Sequence, residues 1–361
     1  MPRLHDLQRN ATLTFAAPPL AFWSDQQYRA MPRLAPLPAS TSFPSLSIII
    51  PARNEAANLL RLLPSLQRLH YPGALEIIVI DDDSSDLTGP IGRAYGAKVL
   101  RLKRLPAGWS GKTHASHAGA SVAAGDWLLF IDADIDLSPA GPARAVAHAE
   151  SRELDGLTVF LRQECSSPVE QLAMAVAFAG MFATIRPTQN VLNGQFILLR
   201  RAAYFDSGGF AAVRDQPQDD LALGRHLAIL GFTIPVFNGE DIGSVHMYDD
   251  TVALARGMAR LGSQTPRWTG WRSLSTFILV TALMSPLMAL LGVLLGQLDR
   301  RWLPATWLAA TVAGLPWTRR FGSPALAPAI PLAALFVQLA AVWGISNRAL
   351  GRGLPWKGRR V

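Results

Sequence analysis

Cysteine is almost missing from this chain: Cys165 is the only one in 361 residues. One thiol builds neither a disulfide framework nor a cysteine zinc site, and it reads as a small residue in a reducing compartment. Acidic residues are scarce too, but only in one region. Residues 299–361 carry Asp299 against nine Lys and Arg, whereas residues 1–298 balance 25 Lys and Arg with 25 Asp and Glu. The net charge of +8 therefore belongs to the tail, where it flanks apolar segments. That placement argues against a nucleic-acid-binding surface and fits basic residues beside anionic lipid headgroups. A charged-then-apolar leader is also lacking. The apolar stretch from Leu13 to Trp23 is short and holds two prolines, so no cleavable signal peptide is expected and the main body of the chain is expected in the cytoplasm.

Residues 1–45 are rich in Pro, Ala and Arg without clear periodicity and read as an irregular or interfacial lead-in. From Leu46 onward short apolar runs alternate with helical stretches: LSIII, EAANLLRLLPSLQRL, EIIVI, a helix to Tyr95, then AKVLRL. That is the βαβ rhythm of a doubly wound parallel sheet, here expected over 46–250. A later run, WLLFI, leads straight into Asp132, Ala133 and Asp134. Ligands of such sheets bind beyond the carboxyl ends of the strands, where these acids emerge. Residues 251–273 read as an interfacial segment. Beyond them, residues 274–296 and 325–345 are runs of 23 and 21 positions without a charge, each long enough to span a bilayer. Residues 302–318, interrupted by Pro304 and Pro316, are a third span or a re-entrant piece. The expectation is two or three transmembrane helices over 274–346 and a basic cytoplasmic tail over 347–361.

The strand ending at Asp81, Asp82 and Asp83 lacks the glycine-rich turn that a dinucleotide fold places there, and its acids would repel a bare pyrophosphate. A carboxylate here can instead accept a hydrogen bond from a base ring or a ribose hydroxyl; the plainer reading is a helix-capping Asp/Ser loop. Asp132 and Asp134 offer carboxylates for a hard divalent cation, Mn2+ or Mg2+, that would neutralise a departing diphosphate. Lys112, in Gly-Trp-Ser-Gly-Lys-Thr, either reaches phosphate oxygens or is a surface lysine. The loop is not a P-loop, because Pro106 stands where the first glycine is required. Asp219 and Asp220 open a helix, so one is a natural N-cap. The functional alternative is a general base that takes a proton from an acceptor hydroxyl, as a single inverting displacement requires. Asn193-Gly194-Gln195 and Gly208-Gly209-Phe210 read as turns that could shape an acceptor pocket. Gln264, Arg267 and Trp268 lie just before the first apolar run, as interfacial anchors or as a lid over the donor.

Taken in order, PARNEA, IVIDDDSSD, GWSGKTHA, FIDAD, NGQFILLRR, GGF and QDDLAL resemble a family-2 glycosyltransferase of the GT-A fold over about residues 46–240. Within that family the GWSGK loop, the apolar C-terminal segments and the ending WKGRR are most similar to the carotenoid-acid (diaponeurosporenoate-type) and hopene-associated enzymes. The resemblance implies an α/β GT-A domain followed by C-terminal transmembrane helices in a multi-pass membrane protein. It also implies an inverting, metal-dependent transfer from a nucleotide-sugar donor, a uridine-diphosphate sugar, to a lipid-like acceptor. By the same resemblance Pro51, Arg53, Glu55 and Asp82 serve the nucleoside, Lys112 the phosphates, Asp132 and Asp134 the metal, and Asp220 the base. The chain departs from the family in lacking an apolar N-terminal helix and in having Asp219-Asp220 where Glu-Asp is usual. QTPRW fits a motif of processive polysaccharide synthases, which makes such a synthase the first alternative. A non-catalytic membrane-bound nucleotide-sugar sensor or scaffold is the second.

Overall fold

The computed structural model describes residues 2–37, 43–186, 190–216, 218–269, 273–352, 355–356 and 359–360. The chain divides into two compact units: residues 31–163 with 188–246, and residues 1–30 with 164–187 and 247–361. In chain order, helix α1 (Pro2–Arg29) belongs to the second of these. The sheet unit then runs β1 (Leu46–Ala52), α2 (Ala56–Gln67), β2 (Leu75–Asp82), α3 (Thr88–Ala94), β3 (Lys98–Leu102), α4 (Gly111–Val122), β4 (Trp127–Ile131), β5 (Ile135–Leu137), α5 (Gly141–Ser151) and β6 (Gly156–Gln163). Helix α6 (Pro168–Thr184) returns to the helical unit. Strand β7 (Phe196–Arg200), α7 (Arg201–Asp206), α8 (Asp219–Ile229) and β8 (Val236–Val245) complete the sheet unit. The helical unit closes with α9 (Thr251–Thr269), α10 (Ser273–Leu283), α11 (Ser285–Leu294), α12 (Trp302–Phe321) and α13 (Ile330–Ala349).

The sheet order is β3-β2-β1-β4-β7-β6-β8-β5. Its centre is parallel, with Leu46 to Ala52 paired to Leu75 to Asp81 on one side and Leu46 to Ile49 paired to Trp127 to Phe130 on the other. These strands are continuous apolar runs because both faces are covered: Ile48, Ile49, Ile50, Val79, Ile80, Leu128 and Leu129 are fully buried. The expected all-parallel sheet is corrected at β7, which is antiparallel to both β4 and β6, and at β5, antiparallel to β8. Strand β6 ends and β7 begins at the same end of the sheet, so the segment between them needs no crossover, and an antiparallel pairing follows.

Two further expectations change. The irregular lead-in is helical over Pro2–Arg29, with Pro18 and Pro19 inside the helix. Its side chains pack within the helical unit: Ser24 Oγ accepts the Trp317 indole N–H at 3.0 Å, and Asp25 pairs with Arg320 at 3.1 Å and Arg29 at 2.6 Å. Sharing these partners stabilises a helix that its own sequence barely encodes. Among the described residues one helical stretch, Pro324–Ala349, is long and apolar enough to cross a membrane. Leu274–Leu283 and Ser285–Leu294 make a second only if taken together, since they are bent by 51° across Met284. Among the described residues the two or three spans expected therefore come to one such stretch, or to two if the bent pair is a single span. Pro286 stands where the bent pair breaks, and α12 ends in Arg319 and Arg320.

Candidate active site

Strands β1, β2 and β4 point their carboxyl ends to one edge of the sheet, and β7 starts there. A cleft at this edge is lined by Pro51, Lys112, Phe130, Asp132, Gly194, Phe210, Asp219 and Asp220, among others. Pro51 is tolerated inside β1 because the ladder to β4 has already ended at Ile49, so a missing N–H on that side costs nothing. Asp132 follows the last residue of β4. Lys112 sits in the first turn of α4, which Ser110 caps by accepting the Thr113 N–H, and Gly108 takes the positive φ of 78° that lets the loop turn into it.

The first contact in the cleft is an ion pair, Lys112 Nζ to Asp132 Oδ1 at 2.6 Å. Its side chains are 39% and 29% exposed, so a ligand can reach both. Burial opposes the charge of Lys112, but the carboxylates of Asp132, Asp219 and Asp220 outweigh it and hold the ammonium well above its ordinary pKa. The lysine is therefore a fixed positive charge facing three acids. Asp220 sits opposite. Its Oδ2 accepts the Gly194 N–H at 3.0 Å and its Oδ1 accepts the Leu221 N–H at 2.8 Å. Burial first, then the Asp219 carboxylate, push its pKa up to about 6. Asp219 Oδ2 itself is buried without a hydrogen-bond partner. Neither acid is the N-cap, since Gln218 holds that place without a side-chain cap bond; both lie in the first turn, where Asp220 Oδ1 takes one of the free helix-start N–H groups and leaves its Oδ2 to Gly194.

Gly194 leaves room for both Lys112 and Asp220 beside its backbone. A Cβ on it would lie 3.1 Å from Lys112 Nζ and 3.2 Å from Asp220 Oδ2. Asp134 lies at the next corner. Its Oδ1 is buried without a partner, and burial, then the Asp132 and Glu55 carboxylates, raise its pKa. An orphaned, crowded carboxylate beside a second one is a donor set suited to a hard divalent cation. Among the described residues no three His, Cys, Asp or Glu side chains converge to hold an ion unaided, so substrate oxygens and water would complete the shell.

The donor-side residues divide. Arg53 Nη1 donates to the Asp82 carbonyl at 2.5 Å and to the Asp83 carbonyl at 3.1 Å, which joins the β1 and β2 loops. Asp82 is 4% exposed at the end of β2. Asn54 and Asp83 both adopt left-handed backbone, with φ of 52° and 57°, strained positions for non-glycine residues that recur at ligand sites. The rest of the acidic cluster is structural. Asp81 accepts the Ser84 N–H at 2.8 Å, and Asp86 accepts from Ala56 N at 3.1 Å and Thr88 N at 3.0 Å, tying down both following helices. Gln264, Arg267 and Trp268 fall in the last turns of α9, where side chains lie outside the described residues, so the lid expectation is neither placed nor removed.

Sequence reasoning passed over Asp219 as more than a cap, and over Ser116 and Phe130 as cleft walls, whereas Gly194 and Phe210 lie in the two turns it offered as shaping a pocket. The Asn-Gly pair was the visible signal for Gly194, but it reads first as a turn.

Residues 47–206 match the family described as Glycosyl transferase family 2. The chain is similar to the 4,4'-diaponeurosporenoate glycosyltransferase of Staphylococcus haemolyticus, at 30% identity over 216 residues, which spans 57% of each chain. It is also similar to the 4,4'-diaponeurosporenoate glycosyltransferase of Staphylococcus aureus, at 26% identity over 337 residues and 88% of each. Among solved structures, a mannosyltransferase from Pyrobaculum calidifontis in complex with GDP-Man and Mn2+ shares the fold. That match has a TM-score of 0.58 and 18% identity, and covers 93% of this chain and 97% of the other.

Proposed function

We propose that this chain, which resembles the family 2 glycosyltransferases, moves a sugar from a nucleotide-sugar, a uridine-diphosphate sugar, to a lipid-like acceptor at the cytoplasmic face of a membrane, with inversion at the anomeric carbon. The observation that carries the reading is the convergence of Lys112, Asp132 and Asp220 in one cleft at the carboxyl ends of the parallel strands. A carotenoid, hopanoid or other polar lipid as acceptor is supported by the names of the staphylococcal relatives and by the apolar helices of the second unit.

Asp220 takes the proton of the acceptor hydroxyl, the freed oxygen bonds to the anomeric carbon from the far side, and the bond from that carbon to the diphosphate oxygen breaks. The nucleoside diphosphate leaves with the electron pair. A carboxylate acceptor needs no proton removed, and Asp220 can then hold it only in its own protonated form, as a hydrogen-bond donor. Lys112 exchanges Asp132 for phosphate oxygens and stabilises the negative charge that develops on the leaving group. A divalent cation held by Asp132 and Asp134 would add Lewis-acid neutralisation of the same diphosphate. Arg53, Glu55, Asp82 and Pro51 border the nucleoside side.

The deciding experiment measures nucleoside diphosphate release from a panel of uridine and guanosine nucleotide-sugars by detergent-purified protein with Mn2+, with and without polar carotenoid, hopanoid and sphingoid lipids. Lipid-stimulated release that EDTA abolishes is the expected result. Donor binding without release from any acceptor mixture overturns it in favour of a sensor. Products longer than one added sugar would point to a processive synthase, which the small number of spanning stretches does not favour.

A further inference from the structure

Next to Gly194 lies a set of buried and half-buried neutral groups that no step of the transfer uses. Thr158 in β6 is fully buried. Its Oγ1 accepts the Asn193 N–H at 3.0 Å and donates to the Phe196 carbonyl at 2.8 Å. Asn193 Nδ2 donates to the Val159 carbonyl and to Gln195 Oε1, each at 3.1 Å. Gln163 Nε2 donates to the same Gln195 Oε1 at 3.2 Å and to the Leu161 carbonyl at 3.0 Å.

Buried amides often do no more than satisfy strand ends. Here they substitute for a ladder. The backbone pairing of β6 with β7 stops at Thr158 with Ile197, so beyond it the two strands are joined by these side chains. What they grip is the turn Asn193-Gly194-Gln195, whose central N–H meets Asp220 Oδ2 at 3.0 Å. That bond and the one from Leu221 fix the carboxylate plane. A carboxylate held by two rigid backbone donors keeps its remaining lone pairs in a single direction, which a base requires.

We propose that Thr158, Asn193 and Gln195 are positioning residues for the transfer, locking the Gly194 turn so that its N–H orients the carboxylate of Asp220. The assignment rests on the reading of Asp220 as the base. The groups facing that carboxylate are Asp219 and the Leu221 N–H from α8, Lys112 from α4 and the Gly194 N–H. Of these, only the last depends on the network.

The test compares Thr158→Val, which keeps the shape and loses the hydroxyl, with Thr158→Ser, which restores it. Two quantities are read: turnover, and the carboxyl titration of Asp220 by 13C NMR, assigned with Asp220→Asn. Thr158→Val is expected to lower kcat by about 10- to 100-fold with donor KM within about twofold of wild type. The Asp220 carboxyl should titrate at higher pH once the Gly194 N–H no longer favours its ionised form. Thr158→Ser should return both. If Thr158→Val does not fold, Gln195→Met carries the same expectation. Unchanged kcat and unchanged titration in a folded variant, or a fall in thermal stability with both unchanged, overturns the proposal. A wild-type protein that transfers no sugar removes the transferase reading alone, because the carboxyl titration still decides whether the network orients Asp220.

Discussion

Asp220 and its neighbours set a pH dependence that can be worked out from charge. A base acts when ionised, so with a pKa near 6 turnover should rise through about pH 6 and fall as pH drops below it. Asp219 is one cause of that raised value. Asp219→Asn removes the repulsion and should move the acid limb of the kcat profile to lower pH; an unmoved limb would mean that burial alone sets it. Asp220→Asn should lower kcat by about 10²- to 10⁴-fold while donor affinity, measured by titration calorimetry, stays within a few-fold. Lys112→Met should raise donor KM and also lower kcat, since it removes a charge that the ground-state diphosphate feels and that the leaving group needs more as its negative charge develops. Residue identities alone left Lys112 open between phosphate ligand and surface lysine, and Asp220 open between base and cap. The reason is physical. Lys112, Asp132 and Asp220 come from α4, the end of β4 and α8, and only the sheet order, with β7 inserted beside β4, brings them to one cleft. Gly194 was visible only in part: the Asn-Gly pair marks a pocket-shaping turn, but its approach to Lys112 and Asp220 is set by tertiary structure and has no local signal.

Among the elements, the buried parallel strands were readable because strands covered on both faces become unbroken Ile, Val and Leu runs. Helix α1 was not. Paired prolines and a weak amphipathic pattern conceal a helix whose order comes from tertiary partners such as Trp317 and Arg320, the guanidinium of which lies 4.0 Å over the Tyr28 ring. The contact of α9 with α13 depends on small residues instead. A Cβ on Gly344 would fall 2.0 Å from the Ala259 carbonyl oxygen, and one on Gly262 2.5 Å from the Ala341 Cβ. Backbone cannot give way as a flexible side chain can, so Gly344→Val should cost about 1–3 kcal/mol or more by forcing the helices apart. A lowered midpoint in detergent-solubilised thermal unfolding would show it. A wild-type midpoint would mean that the two helices separate without loss, and that their packing is incidental to the unit's stability.

At the scale of the whole molecule, balanced charge over residues 1–298 and basic excess over 299–361 gather the surplus basic residues around the apolar stretch Pro324–Ala349. The stretch Pro324–Ala349 has only 33% of its most apolar window buried, and it exposes Leu332, Leu339, Val342 and Trp343. A core helix of a soluble protein hides such side chains, whereas a helix in lipid presents them to acyl chains. If the stretch spans the bilayer, Leu339, 59% exposed and near the middle of α13, lies close to the hydrocarbon centre. An arginine there costs about 2.5–3.5 kcal/mol on insertion scales. Leu339→Arg should therefore move a measurable fraction of the protein from the carbonate-resistant membrane pellet to the supernatant, while Arg348→Gln, at the helix end, should change retention far less. Equal retention of Leu339→Arg and wild type would place α13 on the membrane surface or within protein. The same result would leave the cleft chemistry untouched, because every residue assigned to it belongs to the other unit.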